Sequence, residues 1–309
     1  MTYSMDIPEH GEIRQSTNFP PHIKRNNQIT IVTWNIQYGK ELKGIIAYLS
    51  SLDADILLLQ EADWGNIRTE KKNITKEIAN ALQYNYIFSP DLEQLYSWKR
   101  NFYKKAGQGG GVSGNAILSR LPLSNPFILE LPYTDMYNGI IPTRSTIRNF
   151  FAPTKGKCIA LGASVETGKG IIPVYTTHLE ISRATIATRV AQFKSINNNI
   201  GNANRVILAG DFNTAAHGIF GLYNIIENYD AWTKKSIFTP EAVYWKKHII
   251  KETNLTDPFN PGTDWTLQVK GLYHAKLDWI LTRGLTVIKH EVGSVGYSDH
   301  RPLVITVEI

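Results

Sequence analysis

The 309-residue chain holds one cysteine, Cys158, which excludes an intramolecular disulfide and a zinc site built from several thiolates. It also lacks any apolar run near the roughly 18 to 20 residues that a membrane-spanning helix needs. The start, Met1 to Gln28, carries Asp6, Glu9 and Glu12 and reads as neither signal peptide nor membrane anchor, so a cytoplasmic location is expected. No internal repeat, heptad array or low-complexity linker divides the chain. An excess of one charge is modest too: 33 Lys and Arg face 27 Asp and Glu, a net +6 that leans toward a polyanionic partner without requiring one. Hydrophobic residues at 42% and charged residues at 19% suffice for a core that needs no staples.

What is present alternates. Residues 1 to 28, with Pro8, Pro20 and Pro21, read as an extended arm, and a single domain is expected over 29–309. Short apolar, β-branched runs at Ile29 to Trp34, Ile56 to Gln60, Ile117 to Leu118, Ile159 to Val165, Ile172 to Thr177, Val206 to Ala209, Asp278 to Leu281 and Leu303 to Val307 predict strands. Leu42, Ile45, Ile46, Leu49 and Leu52 recur at helical spacing, as do Ile186, Val190, Phe193 and Ile196. Gly168-Lys169-Gly170 lies at hairpin spacing between two strands, so mixed sheets in an α/β layered sandwich are expected.

Polar residues follow these apolar runs one after another. Asn35 follows Trp34, Glu61 follows Gln60, His178 follows Thr177, Asp211 and Asn213 follow Gly210, and Ser298-Asp299-His300 precedes the last strand. Strand ends are where open sheets converge side chains on a ligand. Singly, Asn35 and Asn213 could be turn formers, Asp211 a loop cap and His178 a satisfied histidine. A carboxylate such as Glu61 after so apolar a strand must be exposed, paired or metal-bound. Together they offer hard oxygen ligands for Mg²⁺, Ca²⁺ or Mn²⁺ and two histidines for proton transfer, the inventory for metal-assisted phosphoester hydrolysis.

Seven segments resemble the endonuclease/exonuclease/phosphatase superfamily, which includes DNase I, apurinic endonucleases, neutral sphingomyelinases and inositol-polyphosphate 5-phosphatases. They are Thr33-Trp34-Asn35-Ile36, Leu59-Gln60-Glu61, Gly114-Asn115-Ala116-Ile117-Leu118-Ser119-Arg120, Thr177-His178-Leu179-Glu180, Gly210-Asp211-Phe212-Asn213-Thr214, Leu277-Asp278-Trp279-Ile280 and Ser298-Asp299-His300-Arg301-Pro302. The resemblance implies a four-layer α/β sandwich, two mixed β-sheets packed face to face with helices outside. It also implies Mg²⁺ or Mn²⁺ held by Glu61, with Asn35 and Asp299 beside it. Asp211 would orient or deprotonate water, Asn213 would hold a phosphate oxygen, His178 would donate to the phosphoryl group, and Asp278 would fix the tautomer of His300. Whether Asp211 or His300 activates water stays open. Gln37 stands where many nuclease-like members carry an acidic residue, which argues against a tightly held second metal, and His178 replaces the asparagine of the apurinic endonucleases.

The implied activity is a phosphodiesterase with nuclease activity on a phosphate-ester substrate such as nucleic acid, carried by a monomer. The alternatives are a phospholipid or sphingomyelin phosphodiesterase working at a membrane surface, an inositol-phosphate phosphomonoesterase, or a non-catalytic binding module. Tyr96 to Lys105 and Trp232 to Lys251 interleave aromatic and basic residues that suit a phosphate backbone, a lipid interface or a solvated helix face alike. Arg144, Arg148 and Arg189 are candidates for phosphate contacts or for structural ion pairs, and His217 is undecided. Gly107 to Gly114, with five glycines in eight positions, reads as a flexible rim beside the site.

Overall fold

The computed structural model describes residues 6–21, 27–95, 109–132, 154–180, 186–214, 241–269 and 273–309. Its strands in chain order are β1 (Arg14–Ser16), β2 (Gln28–Tyr38), β3 (Ile56–Trp64), β4 (Asn85–Gln94), β5 (Gly111–Ser119), β6 (Leu123–Glu130), β7 (Thr154–Gly156) and β8 (Ile159–Thr167). They continue with β9 (Gly170–His178), β10 (Val206–Asp211), β11 (Leu267–Val269), β12 (Tyr273–Ala275), β13 (Asp278–Arg283), β14 (Thr286–Val292) and β15 (Leu303–Glu308). One sheet runs β1-β4-β5-β3-β2-β15-β14 with β7 paired to β4, and the second runs β13-β10-β9-β8-β6. Both are mixed, since β2 and β3 are parallel, as are β9 and β10, while the other pairs are antiparallel. The hairpin expected at Gly168 to Gly170 is present, with Thr167 opposite Gly170.

Helix α1 (Leu42–Leu52) turns Ile45 and Leu49 inward and stops at Asp53, whose φ of 44° ends the α-helical hydrogen bonding. Helix α2 (Ile74–Leu82), for which no expectation was drawn from the apolar spacing, starts where the Asn73 side chain accepts from the Lys76 N–H. Both cover the outer face of the first sheet, packing on Val32, Trp34, Leu57, Leu59, Phe88 and Leu118. Helix α3 (Ile186–Ile200) and α4 (Glu241–Tyr244, with further helical turns to Glu252) cover the second, where Phe193, Trp245, Phe212 and Trp279 pack together. Four layers result.

The two inner faces meet in an apolar layer that includes Ile29, Ile31, Ile56, Leu58, Ile117, Leu161, Val174, Ile207, Ile280 and Ile305. Burying each such side chain contributes about 1.5–3 kcal/mol, which makes this layer the principal source of stability.

Within the stretch read as an extended arm, β1 pairs with Tyr86 to Phe88 at the edge of the first sheet. Two expectations need correction. Residues 111–114 of the glycine-rich segment form a buried part of β5, paired on both sides and not a loose rim. A Cβ at Gly114 would lie 2.1 Å from the Ser89 carbonyl oxygen, so glycine is required by the close approach of β4. Finally, β2 and β3 do not end at Asn35 and Glu61 but continue to Tyr38 and Trp64, with a register shift in both pairings at this level.

Candidate active site

Strand alternation carries each inner-facing row from apolar to polar. In β2 the row reads Ile29, Ile31, Thr33, Asn35; in β3 it reads Ile56, Leu58, Gln60; in β9 it reads Ile172, Val174, Thr176, His178; in β10 it reads Ile207, Ala209, Asp211. Period-two geometry thus stacks a hydroxyl and amide tier on the apolar layer and a charged tier above that. The middle tier is cross-linked: the Gln60 amide donates to Thr33 Oγ1, to the Leu58 carbonyl and to Thr176 Oγ1 of the opposite sheet.

Register then assembles the charged tier. His178 lies opposite Asp211 on the parallel neighbour, and Asp211 lies opposite Asp278 on the antiparallel one. From the first sheet, the Trp34 indole donates to the His300 carbonyl and Ser298 Oγ donates to the Asn35 carbonyl, which pins the loop before β15 against β2.

The geometry centres on Asp211. Its Oδ2 accepts from Asn35 Nδ2 at 3.0 Å and lies 3.6 Å from His178 Nε2 and 3.7 Å from His300 Nε2, while Oδ1 accepts from the Asn213 N–H. On the far side of the His300 ring, Nδ1 is 2.7 Å from Asp278 Oδ2. Burial by itself would raise the Asp211 pKa, but His300, His178 and the hydrogen bonds from Asn35 and Asn213 hold it below the usual carboxylate range. Burial opposes charge on His300, yet Asp278 and Asp211 hold it well above its ordinary value, and Asp211 and Glu61 raise His178 against the same opposition. The arrangement sets a carboxylate whose pKa is pushed down between two imidazoles whose pKa values are pushed up.

Glu61 sits in the bulge with a φ of 55°, a left-handed conformation that breaks the alternation of β3. Its charge bears on His178 and, together with that of Asp299, on Lys40, so both carboxylates border the same space. Among the described residues Glu61 makes no hydrogen bond or ion pair, and Asp299 is exposed, accepting only a 3.3 Å contact from Ser298 Oγ. Asn35 Oδ1 accepts from the Gln37 N–H. Asn213 is less open than the sequence suggests, since Nδ2 already donates to the Leu179 carbonyl and leaves one amide hydrogen.

Asp211, Asp278 and His300 each offer an atom within 4.8 Å of the others, a second grouping that could hold a cation. The 2.7 Å contact between Asp278 and His300 already engages one atom of each. The Glu61 carboxylate makes no such contact among the described residues.

Residues 32–300 match the model of the endonuclease/exonuclease/phosphatase family. The chain belongs to that family. Among solved structures, an endonuclease/exonuclease/phosphatase from Beutenbergia cavernae is 17% identical with a TM-score of 0.63, over 91% of this chain and 72% of that one. The human nocturnin catalytic domain with bound sulfate is 17% identical with a TM-score of 0.57, over 92% and 96%. D. rerio TDP2 complexed with single-strand DNA product is 15% identical with a TM-score of 0.56, over 91% and 99%. Likeness at this level shows the shared fold. No curated protein matches the sequence.

Around the family site, the structure adds residues that the sequence did not single out. Asp91, on β4, is buried, and burial raises it to about 7, moderated by His178. Arg68 donates to both Asp63 oxygens at 2.7 Å and lies 3.4 Å from the centre of the Tyr38 ring, which also carries Lys40 at 4.8 Å. Lys276 is fully buried and pushed down to about 8 by that burial. Asp91, Lys40 and Lys276 lie on runs with no motif and no periodic signal, so only the folded chain reveals them.

Other candidates resolve differently. Arg189 takes the structural of its two expected roles: fully buried, it donates to both Glu241 oxygens, at 2.8 and 2.7 Å, and holds α3 to α4. Within the second basic and aromatic segment, Trp245 is buried while Lys247, His248 and Lys251 face solvent, the pattern of a solvated helix face. Residues 96–105, 144, 148, 217 and 232–240 lie outside the described residues. His274 stacks on Trp265 and His290 packs edge-on to Phe259.

Proposed function

We propose that the protein is a divalent-metal-dependent phosphodiesterase that cleaves nucleic acid. The observation that carries this reading is the convergence of His178 Nε2, His300 Nε2 and Asn35 Nδ2 on one oxygen of Asp211, with a Glu61 carboxylate that acts on His178 and has no hydrogen bond or ion pair among the described residues. Glu61, with Asn35 and Asp299 near it, would hold Mg²⁺ or Mn²⁺, which when bound neutralises a nonbridging phosphate oxygen.

The remaining work falls to the side chains. Asp211, ionised at neutral pH, accepts a hydrogen bond from the attacking water and orients its lone pair toward phosphorus. His178 and His300, each pushed toward its protonated form by the carboxylates around it, donate to phosphoryl oxygens as negative charge grows in the pentacovalent transition state. Asp278 holds the His300 ring with Nδ1–H pointing at its own carboxylate, so that Nε2–H faces the substrate. The remaining amide hydrogen of Asn213 serves as a further donor. The pairing of His300 Nδ1 with Asp278 and the lowered pKa of Asp211 favour Asp211 as the group that handles water and His300 as the donor, the choice left open by the motifs.

Nucleic acid is favoured because D. rerio TDP2, of the same fold, is described with a single-strand DNA product. A panel of plasmid DNA, RNA, sphingomyelin, phosphoinositides and bis-p-nitrophenyl phosphate, each with and without EDTA, tests the reading. Hydrolysis of a nucleic acid that EDTA abolishes and Mg²⁺ or Mn²⁺ restores is the expected result. Full activity in EDTA defeats the mechanism, and turnover confined to lipid or monoester substrates moves the protein to another branch of the family.

A further inference from the structure

Lys276 has no place in the mechanism above, yet it is a fully buried charged side chain two residues from Asp278. Nζ donates to the Asp278 carbonyl at 2.9 Å, lies 3.5 Å from the centre of the Trp279 ring and stands 3.7 Å from Asp257 Oδ2. No part of the side chain reaches solvent. A buried ammonium is costly, and the Asp257 carboxylate that offsets it stands 3.7 Å away, whereas the bond to the Asp278 carbonyl is the shorter contact.

The backbone around it explains what the charge could be for. Thr214 Oγ1 donates to the Lys276 carbonyl and accepts from the Trp279 indole, while the Phe212 N–H donates to the Leu277 carbonyl, which ties this segment to the loop after Asp211. Thr266 Oγ1 accepts from the Leu277 and Asp278 N–H groups, and the Thr266 carbonyl accepts from the Arg301 N–H, which ties it to the loop holding His300. Every bond in this set except the lysine's acts ahead of the Asp278 carbonyl or on its neighbours. Thr266 Oγ1 holds the Asp278 N–H, and among the described residues the one side-chain hydrogen bond to the Asp278 carbonyl comes from Nζ.

We propose that Lys276 is a positioning residue that locks the Asp278 peptide, through its hydrogen bond to that carbonyl and its seat on Trp279, so that the Asp278 carboxylate stays paired with His300. This inference deepens the reading of His300 as a working group, and its test is separable from that reading. The probe is the low-field proton resonance of the His300 Nδ1–H in the full-length protein, assigned by its loss in His300→Gln. Lys276→Met, which leaves the buried Asp257 carboxylate with Lys246 as its remaining cation, is expected to lower the melting temperature and, where folded, to lose or shift that resonance upfield. On bis-p-nitrophenyl phosphate with Mg²⁺, its kcat should fall about 10- to 100-fold while KM stays within about twofold, the range for a residue acting through another. A folded Lys276→Met with the resonance and kcat of the wild type overturns the proposal. Asp257→Asn, which leaves the bond to the Asp278 carbonyl in place, is expected to keep the resonance whether or not Lys276→Met folds. Its loss there would assign the effect to the ion pair and likewise overturn the proposal. A resonance that responds as expected in a protein that hydrolyses no phosphodiester would leave the positioning role standing and remove the function.

Discussion

The two ends of the inter-sheet layer are made by the same strands and are buried alike, yet they do opposite things. At one end, Ile29, Ile56, Ile172, Ile207 and Ile305 interlock with no polar atom between them. At the other, Asn35, His178, Asp211, Asp278 and His300 press together with Oδ1 of Asp278 buried without a hydrogen-bond partner. Below them, Gln60 Oε1, Ser89 Oγ and both polar atoms of the Asn115 amide are also buried and unpartnered. Burial is favourable at the first end and costly at the second, so the apolar end supports an arrangement that the polar end could not sustain alone. Stability and chemistry are segregated along each strand, four to six residues apart.

Substitutions at the two ends should therefore separate the two properties. The largest effect is expected at the polar end: Asp211→Ala or His300→Ala should lower kcat/KM by about a thousandfold or more, equivalent to about 4 kcal/mol of transition-state stabilisation, with the melting temperature held or raised. A variant that retains wild-type turnover would break the comparison. Ile56→Ala at the apolar end should do the reverse, costing about 3 kcal/mol in denaturant unfolding while the folded enzyme keeps its kcat.

Asp91 gives a pH-dependent version of the contrast. Its folded pKa of about 7 exceeds the unfolded value, so its contribution to stability is complete below about pH 4 and is lost as pH rises through about 7. Asp91→Asn should remove that loss, so that in EDTA at pH 8 the variant is about 3 kcal/mol more stable than the wild type, a difference that vanishes near pH 4. Equal melting curves at both pH values would place the Asp91 carboxyl in a better-solvated setting. The smallest change belongs to neither end: Lys289→Ala, which breaks an exposed pair with Glu291 on the edge strand, should shift unfolding by less than about 0.5 kcal/mol and leave activity alone.

Particular elements show how legible the molecule was. The runs at 56–60, 159–165, 172–177 and 206–209 each fall inside an observed strand because β-branched residues without polar interruption leave few other buried structures. Strands β4 and β6 escaped notice, as Asn85 to Gln94 and Leu123 to Glu130 carry a proline, charges and bulges that erase alternation. The continuation of β2 and β3 past Asn35 and Glu61 was equally hidden, because a bulge depends on the partner strand and leaves no mark on composition.

The sequence by itself determined the strand rows, the apolar layer between them and the identity of the polar groups at one end of each row, because alternation and residue chemistry are local. Tertiary structure decided which of those groups meet. It took cross-strand register to set His178, Asp211 and Asp278 side by side, and face-to-face packing to bring Asn35 and His300 down on them from the other sheet. It also decided that Arg189 would bind Glu241, and that Lys276 would sit buried beneath Asp278. Each of these depends on distances between segments far apart in the chain, which no local pattern encodes.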